Sequence, residues 1–234
     1  MAKRAESALD LKSFVCLVRT FQFYPSLLGY ETIDFGPVEG YSEEVLTAAM
    51  RHKKDYKVRR NACVAVSNIC PLSDDAEAAL LDCFRESGDV RAAAVLALSR
   101  QKTPAAMSAL EQAAVDGKLW NEIRLVAIRL LVGDIRYKHV ELLRGLLTDQ
   151  ESEIVKAAVV QLYNIGTDAA MEVLMNALSL IADSEIRCSA VRLLCKKSKH
   201  ILLPFVLRRL VEYDLDGDVR ETARSELRYR FKNR

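Results

Sequence analysis

Three histidines and six cysteines are the side chains here best suited to holding a metal or attacking an electrophile, so their spacing is the first test for chemistry. His52, His139 and His200 are separated by 87 and 61 residues, and none is followed by Glu. A metal site needs donors that converge on one face, and these histidines read instead as surface or helix-end residues. Cys16, Cys63, Cys70, Cys83, Cys188 and Cys195 form no Cys-x-x-Cys pair and no cysteine–histidine cluster at ligand spacing. Cys63 with Cys70, and Cys188 with Cys195, stand seven apart on single predicted helices. That is about 10 Å along the axis, beyond the reach of a disulfide. The thiols read as small core residues of a protein in a reducing compartment. No glycine-rich phosphate loop, Gly-x-Ser-x-Gly elbow or His-Glu-x-x-His motif occurs. No catalytic residue, metal ligand or cofactor is assigned, and the expectation is a non-enzyme.

The residues that do recur are structural. A branched apolar anchor is followed by Ala four positions later and by Leu or Val eight positions later, six times, 31 to 33 residues apart. The anchors are Val58, Val90, Ile123, Ile154, Ile186 and Val219. Positions 0, +4 and +8 share one face of an α-helix, so each copy marks a helix with a narrow buried stripe. Arg follows the anchor in five copies, at Arg59, Arg91, Arg124, Arg187 and Arg220, and Asp or Glu precedes it in five.

A second apolar-periodic segment precedes each anchored helix, with Leu80, Leu110, Leu143, Leu174 and Leu207 in corresponding places. Ser87-Gly88, Asp116-Gly117 and Asp216-Gly217 break the two helices of a pair, and Gly133-Asp134 and Gly166-Thr167 separate successive pairs. The unit is helix, turn, helix, and its repetition predicts a right-handed all-α solenoid of about six hairpins. Residues 1–41 are expected to supply a capping helix, Glu6 to Phe23, and a long loop, Tyr24 to Tyr41. Residues 42–234 are expected to pack as one repeat domain.

The pattern of acidic residue, Val or Ile, Arg, two free positions and Ala on the second helix of each pair resembles HEAT repeats. It is closest to the short HEAT-like class first described in phycobilisome lyase subunits, over about Ser42 to Phe231. The resemblance implies that second helices line a concave face, first helices a convex one, and that the repeated Arg forms a ladder with acidic residues of neighbouring repeats. Val155 stands where the fourth Arg is expected and Lys57 in the first acidic place, so a weakened ladder is anticipated there. The class includes scaffolds, pigment lyases and repair enzymes. The paired His-Glu motifs of its di-iron hydroxylases are absent, and the lone Trp120 is expected to pack between helices.

On the second helix the direction opposite the buried stripe is about 240° away, at position +6. The six +6 residues are Val64, Leu96, Arg129, Val160, Arg192 and Ser225. Repeats two to four are apolar there, with Leu125 alongside, which reads as an apolar concave groove for a partner helix or extended peptide, or alternatively as small residues packed by tight curvature. Val64, Leu96, Leu125, Arg129 and Val160 are the contact candidates, with Arg192 as a clamp for a carboxylate. Arg224, Arg228 and Arg230 form a basic edge at the last helix, suited to phosphate or anionic lipid. Net charge of +2 and a single Trp argue against nucleic acid. Membrane contact is expected to be peripheral at most, and the expected location is cytoplasmic, free or as the cytosolic part of a larger protein. The leading reading is a protein-interaction scaffold. The alternatives are a lyase-like or chaperone-like subunit holding a tetrapyrrole, and a HEAT-like repair protein.

Overall fold

A computed structural model describes residues 10–20, 40–131, 137–197 and 200–231. Among them are thirteen helices and no strand. After α1 (Leu11–Thr20) the helices come in pairs: α2 (Glu43–Met50) and α3 (Tyr56–Val66), α4 (Asp74–Phe84) and α5 (Gly88–Leu98), α6 (Pro104–Val115) and α7 (Asn121–Leu130). Then follow α8 (Tyr137–Leu146) and α9 (Ser152–Ile165), α10 (Asp168–Ala177) and α11 (Ser184–Lys197), α12 (Leu203–Tyr213) and α13 (Gly217–Phe231). This is the hairpin repeat of an α-solenoid.

Short polar residues set the helix starts. Ser42, Ser73, Thr103 and Thr167 cap first helices, accepting the N–H of Val45, Ala76, Ala106 and Ala170. The turns inside five hairpins are closed differently. Asp55, Asp116, Asp149, Asp183 and Asp216 each accept the N–H two residues on, at 2.9 or 3.0 Å. The second hairpin instead starts α5 at Gly88, whose φ of 61° is one that side-chain-bearing residues rarely adopt.

The 0, +4, +8 stripe is the core. Every anchor and every paired alanine is buried, and of the +8 residues only Leu227 is half-buried. Two compact units result, Met1–Ala127 and Ile128–Arg234. In the first, second helices α3 and α5 lie side by side, and first helices α2, α4 and α6 form the other layer. In the second, α9, α11 and α13 form one layer, α8 packs beside α10, and α12 packs on α13.

α1 packs on α2 and α3, as a cap must. Asp10 accepts the N–H of Ser13 at 2.8 Å while the Ser13 hydroxyl accepts the N–H of Asp10 at 3.0 Å, a reciprocal start to the helix. Phe14 is fully buried edge-on against Tyr41, with centroids 5.0 Å apart. The two ends of the expected Glu6–Phe23 helix and residues 24–39 of the expected loop lie outside the described residues.

Four side chains differ from expectation. His139 is buried, 1% exposed, because α8 turns it into the core rather than outward. Trp120 is 47% exposed, since it precedes α7 in a turn and not in a helix interface. Cys16 and Cys70 are exposed, while Cys63, Cys83, Cys188 and Cys195 are buried core residues.

Candidate partner-binding face

The repeated arginines hold successive hairpins in register. Arg59 grips Glu86 with two bonds of 2.8 Å and donates a third, 2.7 Å, to the His52 carbonyl. Arg91 meets Asp116 at 2.6 Å. Arg187 reaches Asp214 at 3.1 and 2.9 Å and also donates to the carbonyls of Ile181 and Ala182. Each pair joins the second helix of one hairpin to the end of the first helix of the next, so the ladder expected from the resemblance is real at these rungs. Its acids are Glu86, Asp116 and Asp214, six or seven residues beyond the first-helix leucine. Of the acids preceding the anchors, Asp89 accepts from Arg60 at 3.5 Å. The missing rung is missing on both sides: Val155 replaces the Arg, and Leu180, 63% exposed, occupies the register of its acid.

The bonding shifts the charged groups as expected. Glu86 raises the Arg59 guanidinium above its ordinary range. The Lys118 N–H, and then Arg91, hold the Asp116 carboxyl below the usual carboxylate value. A further tie was not anticipated. Gln101 is buried between two inter-hairpin loops, accepting from the Leu72 N–H at 3.3 Å and donating to the Ile69 carbonyl at 2.9 Å. No sequence pattern singles it out, because its partners lie about one repeat away.

Held this way, the second helices turn their +2, +3 and +6 positions outward to different degrees. In the first unit Val64, Leu96 and Leu125 are half-buried. Ala92 and Ala93 are buried, because small side chains let α3 and α5 approach closely. Asn61 is also buried there. Its carbonyl oxygen accepts from Arg60 at 3.0 Å, and its amide nitrogen has no partner.

In the second unit the same layer opens into a groove of about 740 Å³ over α9, α11 and α13. Lys156, Ser189, Arg192, Glu221, Thr222 and Ser225 line it, all from the +2, +3 and +6 positions. The apolar stripe that the sequence predicts runs over repeats two to four, whereas this groove lies over repeats four to six and is polar. Glu153, Asp183, Glu185, Asp218 and Glu226 join Glu221 there, against Lys156 and Arg192. Besides its +2, +3 and +6 positions, the groove collects the acids that precede each anchor of this unit, Glu153, Glu185 and Asp218. Val160 and Arg129 are exposed on the same unit but lie outside the groove lining. Arg192 makes no ion pair among the described residues, nor do Glu185 and Asp218. On α13, Arg224 pairs with Glu221 at 2.5 Å, and Arg228 and Arg230 are exposed.

Residues 43–121 match the family model described as HEAT repeats, and residues 154–179 match the model described as PBS lyase HEAT-like repeat. Both matched segments are HEAT-type repeats. The HEAT matches cover the hairpins in which the arginine rungs Arg59–Glu86 and Arg91–Asp116 are built. Among solved structures, a designed armadillo repeat protein is similar at 15% identity and a TM-score of 0.46, covering 78% of this chain and 97% of its own. An engineered protein is similar at 22% identity and a TM-score of 0.28, covering 96% of this chain and 91% of its own. No curated protein matches this chain significantly. Among the described residues no group of three or more His, Cys, Asp or Glu is placed to hold a metal ion, and no helix is long and apolar enough to cross a membrane.

Proposed function

We propose that this chain is a non-catalytic interaction scaffold that holds an extended or helical segment of a partner protein on its second-helix layer. The observation that supports it is the groove over α9, α11 and α13, because it is lined by the positions that vary between repeats. Repeat solenoids serve as binding surfaces far more often than as catalysts, since stacked hairpins offer a long face of independently variable positions. In the second unit the partner segment is basic. Six carboxylates against two cations disfavour an acidic peptide and favour one that supplies Lys or Arg. Arg192 then takes a carboxylate from the same segment, and Val160 and Arg129 extend the contact beyond the groove. In the first unit Val64, Leu96 and Leu125 offer apolar contacts of smaller area.

Capture from native lysate tests this with the full chain, the Glu185→Lys/Asp218→Lys variant and the Leu96→Asp/Leu125→Asp variant. The expected result is one specific partner, lost with the first pair and weakened with the second. Its binding segment, remade as a labelled peptide, should carry net positive charge and bind wild type alone. Identical recoveries from all three proteins would sink the reading.

A further inference from the structure

Helix α12 carries two apolar faces, and the fold uses one. At about 100° per residue, Leu203, Leu207 and Leu210 lie roughly 140 to 160° from Phe205, and all three are buried. Leu202, Arg208, Arg209, Glu212 and Tyr213 lie within about 80° of Phe205 on the other side. That side is bare: Phe205 is 60% exposed, Tyr213 73%, and Ile201, in the turn before the helix, 79%.

The repeat supplies its own control. Two residues before the buried first-helix leucine stand Ala78, Ser108, Glu141 and Glu172 in earlier hairpins, then Phe205 in α12. Two residues after it stand Asp82, Gln112, Gly145 and Asn176, then Arg209. Small or polar side chains satisfy the same register elsewhere, so packing does not call for an aromatic and a cation here. A neighbouring groove between α10 and α12 is lined by Val206, Arg209, Leu210 and Tyr213 but does not take in Ile201, Leu202 or Phe205. Those three project.

Charge identifies what they meet. Arg208 and Arg209 are exposed on this face with Glu212 as the acid on it, and the Arg208 guanidinium sits 5.8 Å from the Phe205 ring centre. Arg208 and Arg209 make no ion pair among the described residues. Projecting apolar side chains ringed by cations suit a fluid anionic bilayer, which closes around them without a matching concave shape. We propose that the outer face of α12 docks on anionic membrane: Ile201, Leu202 and Phe205 enter the headgroup boundary while Arg208 and Arg209 meet lipid phosphates. The contact is independent of the second-helix groove.

The test is co-sedimentation of the full chain with phosphatidylcholine vesicles, with and without phosphatidylserine. Binding is expected on the anionic vesicles, weaker on neutral ones, and reduced by added salt. Arg208→Gln/Arg209→Gln should weaken partition by roughly 30-fold, at the usual strength of two surface cations. Leu202→Ser/Phe205→Ser should weaken it as well, and both pairs replace exposed side chains, so far-UV circular dichroism should match wild type. The proposal is overturned by no retention on anionic vesicles, or by equal retention of wild type and variants. It is equally overturned if these variants instead abolish a concentration-dependent dimer, which would give the face to a second copy of the chain.

Discussion

Lys197 and Gly166 depend on each other. The Lys197 ammonium donates to the carbonyls of Tyr163 and Asn164, at 2.9 and 3.3 Å, and lies over the Tyr163 ring, so it closes the C-terminal end of α9. Gly166 has a φ of 64°, and a Cβ there would run into the Lys197 side chain. Gly166→Ala is therefore expected to cost about 1–2 kcal/mol, part from the left-handed backbone and part from the displaced lysine. In urea unfolding, the double variant with Lys197→Ala should lose less than the sum of the singles; strict additivity would mean the two positions are independent. The thiols divide by burial. Burial lifts the Cys63 thiol far above its ordinary value and Cys195 to about 12, so neither is a nucleophile at neutral pH. Cys16 and Cys70 should be the thiols that a disulfide reagent titrates rapidly in the native protein, and rapid reaction at Cys63 would contradict the core placement.

The hairpin is the next scale, and its integrity rests on turns that carry charge. Asp116 both closes the turn before α7 and takes the Arg91 rung, and its folded pKa lies below the ordinary carboxylate value. A depressed folded pKa contributes stability above the unfolded value near 3.8, and that contribution is lost as pH falls through the folded value. Asp116→Asn should thus flatten the acid limb of stability against pH and cost about 1–3 kcal/mol at neutral pH, read as a midpoint shift in urea. An unchanged acid limb would mean that other carboxylates carry it. The elements themselves were legible in sequence: breakers such as Asp116-Gly117 and Gly166-Thr167 mark the helix ends, and the anchor, alanine and +8 residue announce the buried stripe. The rung partners were not, because Glu86 and Asp214 lie 27 residues from their arginines and look like ordinary surface acids.

Across the whole molecule the two compact units make stability a local property. Arg187 and Asp214 form a buried ion pair, with side chains 11% and 6% exposed. Removing one member leaves the other desolvated, so Arg187→Ala should cost about 3–5 kcal/mol. Hydrogen exchange should then speed up in α10 to α13 while α3 and α5 keep their protection; uniform loss along the chain would establish a single cooperative unit. The sequence alone determined the period, the hairpins, the capping helix and the buried stripe, because helical periodicity and capping are set by residues three to eight positions apart. Only the tertiary structure decided which carboxylate each arginine grips, that the second-unit groove gathers six carboxylates, and that α12 leaves Phe205 bare. Those outcomes depend on side chains about one repeat apart in sequence, brought together when hairpins stack, and no local spacing encodes the distance between them.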